Sequence, residues 1–204
     1  MNMKREKNFI ISVILAGSVL VDPSPTGAQD LLRGDPRFAG LSPQIKERVI
    51  CSISAAVKYQ IPANIVLAVA EIEGGKPGQW VLNANGTHDV GPMQFNTAYL
   101  AGLIRYGITA SDVAASGCYP FDLAAWRLRR HIKYDEGDLW TRAANYHSRT
   151  LTHNSAYRAV LVAKADKWAD WLASRFNTVQ MVKPEVVRNG SAYVPRKIIA
   201  QETP

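Results

Sequence analysis

The chain has only two cysteines among its 204 residues. That is too few for a disulfide-built miniprotein or a self-contained four-cysteine zinc site. Its four histidines never fall in a His-x-x-x-His spacing, so no metal site is expected among them. No apolar run reaches the ~20 residues a membrane-spanning helix needs. No internal repeat is visible. Acidic residues are outnumbered 17 to 24, which leaves a net charge of +7. The excess implies an anionic partner: nucleic acid, a membrane surface or an acidic polymer. What is plentiful is ordinary. Apolar residues make up 47% and charged residues 20%, a globular balance that argues against wholesale disorder. The length allows one or two domains.

Residues 1–28 read as a secretory signal peptide. Lys4, Arg5 and Lys7 form a positive start, and Phe9 to Val21 is uncharged and mostly apolar. Thr26-Gly27-Ala28 then offers small residues where a signal peptidase cuts. The competing reading is an uncleaved anchor. Removing this segment leaves 21 basic and 15 acidic residues, or +6. Export favours a wall polymer or anionic lipid as partner over nucleic acid, and a periplasmic location. It also favours pairing of Cys51 with Cys118 over two free thiols. Residues 177–204 carry breakers at short intervals, such as Val182-Lys183-Pro184 and Asn189-Gly190-Ser191. They read as an extended or disordered tail.

Between these ends, residues 36–176 read as one mainly helical domain. Ser42-Pro43 starts a helix carrying Ile45, Val49, Ile50, Ile53 and Val57 at helical spacing, ending near Tyr59. A second helix, Ile65 to about Glu73, is apolar almost all round, as a central buried helix would be. Gly74-Gly75 and Pro77 stop it. Residues 79–95 lack helical period, and Trp80 to Val90 predicts two short strands around Asn85-Gly86. Asn96-Thr97 predicts a cap for a helix with Tyr99, Leu100 and Leu103. Further helices are expected from Pro120 to about Tyr134, Trp140 to Tyr146 and Ser155 to Phe176.

Glu73 is the focal residue. Val66, Val69 and Ala70 share its helix face. Desolvation there, and the negative end of the helix dipole, would both raise its pKa. A carboxylic acid still protonated near neutral pH is what a general acid needs for breaking a glycosidic bond. The bland alternative is a solvated carboxylate, which is the reading of Glu71. Arg127, Arg129, Arg130 and Lys133 form a basic stretch that reads as a solvated face, or as a contact for stem-peptide carboxylates or a partner protein.

Residues 83–96 run Asn-Ala-Asn-Gly-Thr-His-Asp-Val-Gly-Pro-Met-Gln-Phe-Asn. This segment resembles the lysozyme-like superfamily, in which a catalytic glutamate at a helix end precedes a small sheet with Gly-x-Met-Gln or Asp-x-Gly-x-x-Gln-x-Asn. Asp89, Gly91, Met93, Gln94 and Asn96 meet both patterns, and Pro92 departs from the commoner leucine. Ala70-Glu71-Ile72-Glu73-Gly74-Gly75, the cysteine positions, Tyr106-Gly107-Ile108 and Asn145-Tyr146-His147-Ser148 are similar to one branch. That branch is the lytic transglycosylases that accompany conjugation and other secretion systems. The resemblance covers about residues 40–175.

The resemblance implies a mainly α, α+β lysozyme-like fold with a small two- or three-stranded sheet beside a cleft. It implies peptidoglycan strands as substrate, no cofactor, and secretion or conjugation proteins as partners. Glu73 would be the general acid/base. Gly91 would let a sugar approach the backbone. Met93, Gln94 and Asn96 would line the cleft, with Tyr146 and His147 reaching it from a later helix. Core packing is the alternative for Met93 and Tyr146, and a structural hydrogen bond for Gln94. Asp89 is either a second catalytic carboxylate, which would favour hydrolysis, or a structural residue. A wall-binding module without activity is the other class.

Overall fold

The computed structural model describes residues 35–180 and the strand segments 185–186, 192–193 and 196–198. The expected signal peptide lies outside the described residues. Among the described residues the architecture is mainly helical, with seven α-helices and a small three-stranded antiparallel sheet.

Helix α1 (Pro43–Tyr59) begins with Pro43 at its first position and ends where Gln60 turns left-handed. Helix α2 (Ala63–Glu73) follows after a three-residue break. Its first eight residues, Ala63 to Ala70, are all buried. This is the centre of the core, packed between α1 and α7 (Leu151–Ala173). Asn64 is the one polar side chain among those eight. It is satisfied because its Nδ2 donates to Ala165 O of α7 at 3.1 Å.

The sheet comes next. Strands β1 (Trp80–Leu82), β2 (His88–Val90) and β3 (Phe95–Asn96) lie in that order. Trp80 pairs with Val90, and Asp89 pairs with Val81 on one side and Asn96 on the other. The β1–β2 loop holds Gly86 at φ 80°, as the Asn-Gly pattern required. The third strand is two residues long, too short for its own periodicity to be read.

Asn96 caps α3 (Thr97–Ala101) by accepting from the Ala98 N–H at 2.9 Å. Helix α4 (Ala110–Ala114) is opened by a Thr109–Asp112 capping box. Helices α5 (Tyr119–Tyr134) and α6 (Leu139–Ala144) lead to α7. Cys51 of α1 is bonded to Cys118, which precedes α5, with Cα atoms 4.8 Å apart. A Lys58–Asp122 ion pair at 2.8 Å and the Tyr59 hydroxyl on Asp122 fasten the same two helices.

Phe38, Trp168, Trp171 and Phe176 form an aromatic cluster at the far end of α7. In the tail, β4 (Thr178–Gln180) pairs with β7 (Arg196–Ile198), and β5 (Glu185–Val186) with β6 (Ala192–Tyr193). Where it is described, the tail is extended and paired. Among the described residues no helix is long and apolar enough to cross a membrane.

Candidate active site

Glu73 is the last residue of α2. Gly74 follows at φ 58° and returns its N–H to Ala70 O, which ends the helix there. The carboxyl therefore emerges from the most apolar element of the fold. Burial pushes its pKa up to about 7, against a hydrogen bond from Tyr157 and the charge of Arg127. The charge of Asp89 adds to the upward push. The Tyr157 hydroxyl donates to Glu73 Oε1 at 2.7 Å. Burial first, and then the Glu73 charge, hold the Tyr157 phenol well above its ordinary value, so it remains a donor.

Glu71, two residues earlier on the helix, is not the solvated carboxylate expected of it. Lys164 Nζ and Trp168 Nε1 of α7 both donate to it. Its pKa is pulled below the ordinary value, because those partners outweigh the burial that opposes them. Two glutamates on one short helix are thus driven in opposite directions by their neighbours.

The sheet brings Asp89 within electrostatic reach of Glu73. Asn96 Nδ2 donates to Asp89 Oδ1 at 2.9 Å and to Thr87 Oγ1 at 2.9 Å. Its Oδ1 is meanwhile spent on capping α3. Asn96 is therefore a strut that fixes the Asp89 side chain, rather than a group free to take a sugar.

Gly91 sits at φ 70°, and a Cβ there would lie 2.0 Å from Val113 O. The close approach this glycine permits is to the backbone of α4. Its carbonyl accepts from Gln94 Nε2 at 2.8 Å. Gln94 is itself left-handed at φ 47°, a conformation that costs energy in a non-glycine residue. A Cβ on Gly75 would lie 2.2 Å from Gly91 O and 2.5 Å from Gln94 Nε2. So the Gly75 backbone just beyond Glu73 is pressed directly onto the Gly91–Gln94 turn.

Met93 is fully buried and its side chain packs in the core, which corrects the expectation that it lines the cleft. Its carbonyl accepts from the Tyr146 hydroxyl at 3.1 Å. Tyr146 is also buried, and burial raises its pKa far above the ordinary phenol range. It ties the α6–α7 segment to the turn between β2 and β3. His147 is exposed and stacks flat on Tyr157, with ring centroids 4.8 Å apart and planes 4° from parallel. The two consecutive residues thus differ, Tyr146 being buried in the core and His147 lying exposed on the Tyr157 ring.

The chain matches no known family model and no curated protein. The site's chemistry rests on its own geometry.

Two residues of the site carry no motif. Tyr157 lies one third of the way along a helix whose apolar pattern is weak. Only its packing against α2 reveals it. Arg127 belongs to the basic stretch expected to be solvated, yet it is clamped between two rings. Its guanidinium carbon lies 4.2 Å from the Tyr99 ring centre and 4.6 Å from that of Tyr146. Arg129 also turns inward, donating to Tyr59 O at 2.9 Å. The signal available in the sequence was the helical spacing of Arg127 from Ala124 and Leu128, which places it at the edge of the apolar face rather than opposite it.

Proposed function

We propose that the protein is an exported enzyme that cleaves the glycan strands of peptidoglycan, acting as a lytic transglycosylase with Glu73 as general acid/base. The observation that carries this reading is the state of Glu73. A single carboxyl must first give a proton and then take one. Both are efficient when its pKa lies near the operating pH, and burial brings Glu73 to about 7.

In the first step protonated Glu73 gives its proton to the glycosidic oxygen after N-acetylmuramic acid. The C1–O bond breaks and positive charge develops on the muramic ring. The Glu73 carboxylate then takes the proton of the same sugar's C6 hydroxyl. That oxygen attacks C1 and closes a 1,6-anhydro ring. Glu73 ends protonated, as it began, and no water is consumed. Asp89, held by Asn96, supplies negative charge to offset the cation as it forms. Tyr157 keeps one carboxyl oxygen occupied and leaves the other to carry the proton.

A hydrolytic muramidase is the second reading. It is favoured by Asp89, a fixed carboxylate whose charge already acts on Glu73. Such a group would serve as nucleophile or activate a water. Product mass separates the two. The disulfide and the absence of a membrane-crossing helix among the described residues are compatible with export. Local opening of the wall for a secretion or conjugation apparatus in the periplasm is the use the resemblance suggests.

The deciding experiment is digestion of purified sacculi by the parent and by Glu73→Gln, with mass analysis of the muropeptides. Anhydro ends from the parent and none from the variant are expected. Hydrated reducing ends would establish the muramidase instead. Equal release by both proteins would leave only a wall-binding module.

A further inference from the structure

A polar cavity of about 240 Å³ lies against α5, lined by Tyr99, Arg127, Arg130, His131, Asp135 and Arg149 among others. These residues bring three guanidinium groups against one carboxylate. That carboxylate is already committed. Asp135 takes Arg149 at 3.0 Å, His131 Nδ1 at 2.7 Å and Asn145 Nδ2 at 2.8 Å. Burial pushes the His131 pKa below its ordinary value, so it adds no positive charge at neutral pH.

Arg127 and Arg130 are left over. Among the described residues neither forms a salt bridge. Arg130 lies over the Trp126 ring at 5.0 Å. Arg127 is held between Tyr99 and Tyr146, and its buried Nε has no hydrogen-bond partner. A buried donor on a charged group is costly to leave unpaired. The two rings hold the fork rigid, so little freedom is lost when it binds. A rigid guanidinium matches the planar, two-oxygen geometry of a carboxylate. A phosphate dianion would bring more negative charge beside Asp135 than a carboxylate does.

We propose that this cavity is a carboxylate subsite, in which Arg127 and Arg130 take a free carboxylate of the peptide stem carried by the glycan strand. The identity of the stem rests on the peptidoglycan reading above. Arg127 joins the subsite to the chemistry, because its charge also acts on Glu73. The titratable and charged groups acting on Glu73 are Tyr157 from α7, Arg127 from α5 and Asp89 from β2, and the buried Tyr146 after α6 also feels its charge. Of these, a bound carboxylate would offset Arg127. The general acid would then hold its proton to higher pH on stem-bearing strands than on bare ones.

The test has a binding arm and a cleavage arm, both with the full chain. Calorimetry compares an N-acetylmuramoyl tripeptide bearing free carboxylates with its carboxamide form. The acid is expected to bind about tenfold more tightly, the value of one charge-assisted hydrogen bond. Arg130→Gln and Arg127→Lys should each erode that preference. Lys133→Gln removes the same charge from an exposed position of the same helix outside the cavity, and should preserve it. Equal binding of acid and amide, or competition by inorganic phosphate as strong as by the acid, overturns the proposal.

In the cleavage arm, stem-bearing strands are compared with strands stripped by an amidase. The expected result is a KM several-fold lower for stem-bearing strands and an alkaline limb displaced to higher pH. Arg130→Gln should shrink the KM ratio. A ratio near one in the parent overturns the subsite while leaving strand cleavage intact. Acid-selective binding without cleavage of either strand would uphold the subsite and sink the enzymatic reading.

Discussion

The Tyr157 hydroxyl donates to Glu73 Oε1 at 2.7 Å, bridging residues 84 apart in sequence. The bond favours the ionised carboxylate, and burial opposes it. Tyr157→Phe removes the bond and keeps the ring that His147 stacks on. With the stabiliser of the charged form gone, the Glu73 pKa should rise. The sign is toward activity persisting to higher pH. A pH profile of strand cleavage should show its upper limb displaced alkaline by up to about one pH unit, the equivalent of ~1.4 kcal/mol. A profile displaced toward acid would mean that Tyr157 does not act on Glu73 as a donor.

Glu73 also makes stability depend on pH. Its folded pKa of about 7 stands above the ordinary 4.5, so the folded state binds the proton more tightly than the unfolded chain. The stabilising contribution is fully present below the unfolded value and is lost as pH rises through 7. Glu73→Gln removes the charge that must be buried at high pH. The variant should therefore be more stable than the parent at pH 8, by on the order of 2 kcal/mol. That margin should shrink toward pH 4. Urea denaturation at the two pH values measures it. A margin that is the same at both would show that Glu73 titrates as an ordinary carboxylate.

The residues that could be read from the sequence are those whose role is local. The apolar run of α2 and the glycine after Glu73 together fix where the helix stops, and so where the carboxyl emerges. The Asn85-Gly86 pair marks the β1–β2 loop, and Asn96 marks a helix start. What could not be read depends on contacts between distant elements. Tyr157 reaches Glu73 only because α7 packs on α2. The Arg127 stack needs α3, α5 and the segment after α6 to meet. Met93 and Tyr146 fall within recognisable motifs, yet only packing decides that their side chains point into the core. The capping box that starts α4 is visible in Thr109 and Asp112, but the helix is too short for periodicity to announce it.

The junction behind Glu73 is backbone against backbone. Gly75→Ala would set a methyl 2.2 Å from Gly91 O. Neither side can yield by moving a flexible side chain, since Gly91 is itself 2.0 Å from Val113 O at its missing Cβ. The substitution should cost about 2–3 kcal/mol and separate the sheet from the end of α2. Activity should fall further than stability, because Asp89 and Glu73 sit on opposite sides of this junction. Thermal unfolding and sacculus turnover, measured together, check it. A fully active Gly75→Ala protein would refute this account of the junction.

The Cys51–Cys118 bond joins positions 67 apart in sequence, and the closed loop contains α2, the whole sheet, α3 and α4. Glu73, Asp89 and the Gly75–Gly91 contact all lie within it. In the chain-entropy account a loop of this length stabilises by about 4 kcal/mol, through restriction of the unfolded chain. The Cys51→Ala/Cys118→Ala double variant should lose about that much in urea denaturation. The parent in excess reductant should lose a similar amount. If the effect is on the unfolded chain alone, the folded fraction of the variant should keep its kcat at low temperature. The Lys58–Asp122 pair and the Tyr59 hydroxyl still hold α1 to α5 there. A drop in kcat without a drop in stability would show instead that the bond shapes the folded site.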